Sequence, residues 1–252
     1  MIIVPRQARK KSESGIYHTI LRGINKQVIF EDEEDRARFL SVLRECKEVS
    51  GYKLFAWCLM GNHVHLAIKV EGEPIDLVFR RIAGKYAYFY NNKYQRTGHL
   101  FQDRYKSEPV DDDAYLLVVI RYIHQNPLMA GLVKAPEDYL LSSYRDYIEE
   151  HDDALTDTGL VSSMMSVREF IRFNTETDST KVLDVADRRF YPTDDQARLL
   201  ILEESGCRFV MDIQALDRTT RDEVLGRLRA RGLSVRQLSR LTGISKSIIG
   251  RQ

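Results

Sequence analysis

The side chains best placed to do chemistry begin with two histidines one residue apart, His63 and His65. If Asn62-His63-Val64-His65-Leu66 is extended, successive side chains point to opposite faces, so both imidazoles share a face and Val64 and Leu66 take the other. Two neutral imidazoles roughly 6–7 Å apart at the backbone can converge on one divalent ion. The structural alternative is a hydrogen-bonded pair on a half-buried strand. A second group lies in Arg121-Tyr122-Ile123-His124-Gln125-Asn126-Pro127. Tyr122 and Asn126 are four residues apart, which stacks them on one face of a helix. The Asn126 amide oxygen is a hard, neutral ligand that could join two imidazoles around Mg²⁺ or Mn²⁺, leaving positions open for phosphate oxygens. The Tyr122 phenol beside it could then attack phosphorus and form a covalent phosphotyrosine. Alternatively, Tyr122 is a core residue and Asn126 caps the helix before Pro127.

A third group is a nucleic-acid surface. Residues 80–106 (RRIAGKYAYFYNNKYQRTGHLFQDRYK) combine cations with aromatics. Cations neutralise phosphates and exposed rings stack on unpaired bases. Tyr86, Phe89 and Tyr90 follow helical spacing and read as the inner face of a helix. The DNA contacts are instead expected from the glycine-containing loop with Arg96, His99, Gln102, Arg104 and Lys106. His99 and His124 are further candidates, as proton shuttles.

These groups need elements to hold them. Residues 17–24 alternate as a strand, and 33–50 read as a helix with an acidic first turn, apolar Phe39, Leu40, Leu43 and Val49, and Gly51 to end it. Runs 52–59 and 63–70 are strands joined at Met60-Gly61-Asn62, a hairpin. Residues 75–92 read as a helix and 104–110 as a short strand. Strand, helix, two hairpin strands, helix, strand is an α+β, ferredoxin-like order: an antiparallel sheet backed by helices. A third helix, about 112–125, is expected to stop near Pro127. Residues 1–148 thus form a first domain, and 149–190 an acidic linker with a short helix near 166–173. Residues 191–252 form a helical region in which 217–229, 233–242, Gly243 and 244–252 read as a helix-turn-helix for DNA. Within it Arg236, Gln237, Arg240, Ser245, Lys246 and Ser247 are the candidate contacts.

The net charge of +1 hides an uneven distribution. Residues 1–110 carry +6, residues 111–217 carry −12 and residues 218–252 carry +7. Basic blocks around an acidic middle fit separate phosphate-contacting surfaces, or two regions that attract each other. Hydrophobic residues at 43% and charged residues at 30% can build a real core. No apolar run approaches the roughly 20 residues of a membrane span, and the basic start lacks an apolar stretch to make it a secretory signal. Cys46, Cys58 and Cys207 sit at no metal-like spacing and read as reduced thiols, so a cytoplasmic protein is expected.

Taken together, the motifs resemble the REP-associated tyrosine transposases, within the HUH single-tyrosine transposases. The resemblance covers roughly residues 15–148. It rests on Tyr17-His18 with Arg22-Gly23, Trp57-Cys58-Leu59-Met60 before Asn62-His63-Val64-His65-Leu66, and Gly98-His99-Leu100-Phe101-Gln102 with Arg104-Tyr105-Lys106-Ser107. Tyr122-Ile123 with Asn126-Pro127, Ala130-Gly131-Leu132-Val133 and Ser142-Ser143-Tyr144 complete it. It implies a ferredoxin-like nuclease, often a homodimer, that cuts single-stranded DNA beside a hairpin and leaves a 5′-phosphotyrosine. It also implies Mg²⁺ or Mn²⁺ on His63 and His65, Tyr122 as the nucleophile, and Asn126 where relatives supply a polar third ligand, often glutamine. The last hundred residues depart from the compact members of the family. Three alternatives stand beside this reading. One is a DNA-binding regulator of the same fold that no longer cuts. Another is a replication initiator or relaxase with a second tyrosine, for which Tyr115 is the nearby residue. The third is a non-enzymatic metal-binding or structural protein, which leaves the clustered motifs unexplained.

Overall fold

A computed structural model describes residues 9–149, 154–176, 180–184 and 191–251. Parts of the acidic linker and the first eight residues of the basic start lie outside the described residues. Four strands, β1 (Ile16–Arg22), β2 (Lys53–Met60), β3 (His63–Lys69) and β4 (Lys106–Pro109), form one antiparallel sheet in the order β2-β3-β1-β4. Helices α1 (Glu33–Ser50) and α2 (Ile75–Lys93) link them in ferredoxin-like order. Asp32 caps α1 by accepting from Asp35 N, and Gly51 ends it in the left-handed region at φ 64°. Its buried face is Phe39, Val42, Leu43 and Cys46, whereas Val49, expected to face inward, is 66% exposed. Eighteen residues at 3.6 per turn outrun the stripe, and Val49 falls on its solvent side.

The sheet is covered on both faces. Leu54, Trp57, Leu59, Val64, Leu66 and Ile68 pack under α1 and α2 with Phe30, Phe39, Tyr86 and Tyr90. Tyr86, read as an inner-face residue, is fully buried and donates to Ile29 O. The opposite face presents Ala56, Cys58, Met60 and Ala67 to α3 (Asp113–Met129), whose Leu116, Val119, Ile120 and Ile123 fill that side. Small residues on the strands let α3 approach closely, and this approach brings its tyrosine to the histidines.

Pro127 does not stop α3, contrary to expectation: the helix runs two residues further, to Met129. Proline disfavours helix before it but does not forbid it, and here it sits in the last turn. The residues beyond close the helix, with Ala130 N donating to Asn126 O and Leu132 N to Pro127 O. Asn126 therefore lies inside the helix and is not its cap.

After α3 the chain returns to cover the edge of the sheet. Leu59 N donates to Leu141 O, Ser143 N to Trp57 O, Asp157 N to Leu54 O, and Trp57 N to Ser143 Oγ. The Ser142-Ser143-Tyr144 motif thus satisfies backbone groups that edge strand β2 would otherwise leave open to pairing with another chain. Two helices follow, α4 (Gly159–Met164) and α5 (Val167–Thr175), the latter with a Ser166/Glu169 capping box.

The C-terminal region builds its own core from Ala197, Ile201, Ile213, Val224, Leu225, Leu228, Leu238, Leu241 and Ile249. These residues come from α6 (Asp194–Ser205), α7 (Arg218–Ala230), α8 (Val235–Thr242), α9 (Lys246–Ile249) and the turn at Val210–Ala215. Ser234 caps α8 by accepting from Gln237 N, and Gly243 at φ 72° makes the turn towards α9. Expected as 244–252, the last helix is only Lys246–Ile249.

Candidate active site

His63 and His65 alternate with Val64 and Leu66 on β3 as the spacing predicts, and they share the face covered by α3. Their ring centroids are 5.0 Å apart. Tyr122 comes down from α3 with its ring 5.7 Å from His65 and 5.8 Å from His18 on β1. The structure therefore gathers the histidine pair and the tyrosine, two groups singled out separately in the sequence. Asn126, one turn further along α3, is buried on the same helical face.

Each histidine is held through its Nδ1. His63 Nδ1 lies 2.6 Å from Asn62 Oδ1, and the Asn62 amide nitrogen donates to Tyr191 OH at 3.1 Å. An amide oxygen can only accept, so His63 donates from Nδ1 and its lone pair lies on Nε2. His65 Nδ1 is 3.1 Å from His18 Nε2, and its own Nε2 is buried without a hydrogen-bond partner among the described residues. Burial, together with the neighbouring His63 and His18, holds His65 well below its ordinary pKa, so the ring is neutral. The hairpin turn is equally constrained, because a Cβ on Gly61 would stand 2.4 Å from the Tyr191 side chain.

These features fit a cation. A neutral imidazole with a buried, orphaned Nε2 beside a second imidazole is a half-built ion site. Among the described residues no three His, Cys, Asp or Glu side chains gather for a metal. Two nitrogens would thus have to be completed by neutral or substrate oxygen, for which Asn126 is the near candidate.

Other candidates divide. His124 is not at the site: its Nε2 bonds Ser143 Oγ at 2.9 Å among Tyr144, Tyr147 and Phe170, and burial pushes its pKa down to about 3. Two residues on from Tyr122, it must point to another side of the helix. Tyr115 is turned to the Glu108 carboxylate, with burial and that acceptor raising its pKa to about 12. His99, Gln102 and Arg104 are exposed on the expected loop, with Arg96 partly covered and donating to His99 O, while Lys106 is not on the loop but is the exposed first residue of β4.

In the C-terminal region, Ser245, Lys246 and Ser247 are exposed, but Arg236, Gln237 and Arg240 face the rest of the protein. Arg236 donates to Tyr90 OH and pairs with the buried Glu31. Gln237, 4% exposed, donates to Pro192 O and Asp194, and Arg240 pairs with Asp194. Arg227 and Arg231 pair with Glu204 on α6. Much of the +7 charge therefore binds acidic groups inside the molecule, the second of the two readings of the charge blocks. A cleft of about 950 Å³ remains beside it, lined by Lys26, Arg229, Arg231, Arg236 and Lys246 among others.

Two residues that position the site were quoted in the sequence without a role: Asn62 and His18. Glu108 was not singled out. The usable signal was alternation on β1, which puts His18 on the face of Ile16 and Ile20, but its partner depends on cross-strand register.

Residues 11–126 match the family described as Transposase IS200 like. That stretch of the chain is similar to an IS200-like transposase domain. No curated protein matches the sequence. Among solved structures, a REP-associated tyrosine transposase bound to a REP hairpin is similar in fold, with a TM-score of 0.50 at 15% identity. That match covers 61% of this chain and 94% of the other. A "putative transposase" from Deinococcus radiodurans R1 matches at a TM-score of 0.33 and 19% identity, over 45% of this chain and 92% of that one. Among the described residues no helix is long and apolar enough to cross a membrane.

Proposed function

We propose that this IS200-like domain is a metal-dependent single-stranded DNA endonuclease and strand transferase, with Tyr122 as nucleophile and His63 and His65 as metal ligands. The observation that carries the reading is the convergence of Tyr122 with the two histidines, one of which turns a buried, unpartnered Nε2 into the site. Asn126 is the third ligand in this scheme. A bound Mg²⁺ or Mn²⁺ supplies charge neutralisation at the scissile phosphate and at the departing oxygen.

The chain's own groups do the rest. The Tyr122 phenol, with a free-tyrosine pKa of about 10, gives its proton to water or a base before attack. Its oxygen bonds to phosphorus while the bond from phosphorus to the 3′ oxygen breaks. The 3′ oxygen takes up a proton and leaves as a hydroxyl, and the 5′-phosphate stays on Tyr122. A 3′-hydroxyl can reverse these steps, so joining requires no ATP. The exposed loop with Arg96, His99, Gln102 and Arg104, together with Lys106 on β4, would carry the strand, and Ser245 and Lys246 would add contacts from the helical region. The similar solved protein is bound to a REP hairpin, which supports hairpin-flanked single strands as substrate here.

The test is incubation of the whole chain with labelled hairpin oligonucleotides and Mn²⁺, followed by a denaturing gel and peptide mass analysis. A DNA adduct on the Tyr122 peptide is expected. Binding without any adduct across a broad hairpin set would instead establish a regulator that keeps the fold and does not cut.

A further inference from the structure

His18 and Glu108 face each other directly across the β1–β4 pair, and His65 lies diagonally beyond His18 on β3. The three side chains form one row. Glu108 Oε1 is 2.8 Å from His18 Nδ1, and His18 Nε2 is 3.1 Å from His65 Nδ1. The two rings stack with centroids 5.4 Å apart, and His18 is fully buried. We propose that His18, anchored by Glu108, is a positioning residue that fixes the proton of His65 on Nδ1 and so presents the His65 Nε2 lone pair to the metal. This rests on the reading of His63 and His65 as ligands.

Donor accounting sets the direction of the chain. The Glu108 carboxylate also accepts from Leu183 N at 2.9 Å and from Tyr115, so it stands as an acceptor and His18 Nδ1 must donate to it. His18 Nε2 is then the lone-pair nitrogen, and the second bond runs from His65 Nδ1–H to His18. The opposite polarity would place the His65 proton on Nε2, where it would be a buried donor with no acceptor among the described residues. One arrangement satisfies every donor and leaves a lone pair free to be a ligand; the other leaves an unmet donor and no ligand. Asn62 imposes the same orientation on His63 through a different partner.

The experiment uses tag-free, full-length protein with ¹⁵N-labelled histidine and no metal. Long-range ¹H–¹⁵N correlation is expected to show His65 protonated on Nδ1, against the usual preference of free imidazole for Nε2. His18→Phe, which keeps a ring and removes the acceptor, should move His65 towards the Nε2–H form. The same change should weaken Mn²⁺ binding, followed by electron paramagnetic resonance, by about 10- to 100-fold. His18→Gln, whose amide oxygen can accept from Nδ1, should recover most of that affinity. Wild-type His65 carrying its proton on Nε2, or His18→Phe binding Mn²⁺ as tightly as wild type, overturns the role of His18. His65→Ala with undiminished Mn²⁺ affinity overturns the metal reading itself, so the two failures are distinct.

Discussion

The ring of Tyr122 on α3 stands 5.7 Å from that of His65 on β3, edge towards face. The contact depends on α3 lying across the sheet face lined by the small residues Ala56, Cys58 and Ala67. Tyr122→Phe keeps this packing and removes only the attacking oxygen. The covalent adduct should disappear, with cleavage down on the order of 10³-fold or more, while hairpin affinity stays within about twofold. Cleavage by the phenylalanine protein at the wild-type rate would sink the assignment of Tyr122.

How far the sequence could be read depended on whether a feature was local. Alternation at 63–70 put His63 and His65 on one face, and i, i+4 spacing put Tyr122 above Asn126; both are properties of a single element. The row Glu108–His18–His65 crosses three strands, and its assembly follows from register, which no single strand records. Pro127 misled for a related reason. Its local preference to end a helix was outweighed by the packing of Leu116, Val119, Ile120 and Ile123. Arg236, Gln237 and Arg240 looked like a DNA-facing row, but their direction is set by Glu31, Tyr90 and Asp194, acidic or phenolic groups far away in sequence.

Removing the metal should separate binding from cutting. Chelation is expected to abolish adduct formation and leave hairpin binding nearly unchanged, because the loop proposed to carry the strand is distinct from the histidines. His63→Ala and His65→Ala should each behave like the chelated protein and resist rescue by added Mn²⁺. Asn62→Leu leaves the ligands in place but frees His63 Nδ1, so Mn²⁺ affinity should fall about tenfold. Calorimetric titration with Mn²⁺ checks all three; wild-type affinity in both histidine variants would remove the metal site from this face of the sheet.

Acid stability should carry the signature of His124. Burial holds it down to about 3, while the unfolded chain titrates near 6.5. Below 6.5 the unfolded state takes up a proton that the folded state refuses. The stabilisation is therefore complete above 6.5 and is lost as pH falls towards 3. Between about pH 7 and pH 5 the loss is about 2 kcal/mol for this group, and His65, depressed in the same direction, adds to it. His124→Gln can retain a hydrogen bond to Ser143 without titrating. Urea unfolding across this range should give the glutamine protein a shallower decline than wild type; parallel curves would contradict a neutral, buried His124.

The docking of α8 can be tested at Glu31. This carboxylate is 4% exposed, and burial raises its pKa while the Ser234 hydroxyl and the Arg236 guanidinium oppose the rise. Removing Arg236 would leave a buried charge with less compensation, which costs about 3–5 kcal/mol where the pair is fully buried. Arg236→Ala should therefore loosen the helical region from the sheet domain, seen as faster hydrogen exchange in α8 and faster cleavage by a protease after Tyr191. Glu31→Gln in the same protein removes the buried charge and should restore part of the protection. If DNA contacts come from Ser245 and Lys246 and not from the docked face, Lys246→Ala should weaken hairpin binding and reduce its salt dependence by about one phosphate. Arg236→Ala should change that slope little. A larger loss of salt dependence in Arg236→Ala than in Lys246→Ala would mean that α8 leaves Glu31 to meet the DNA.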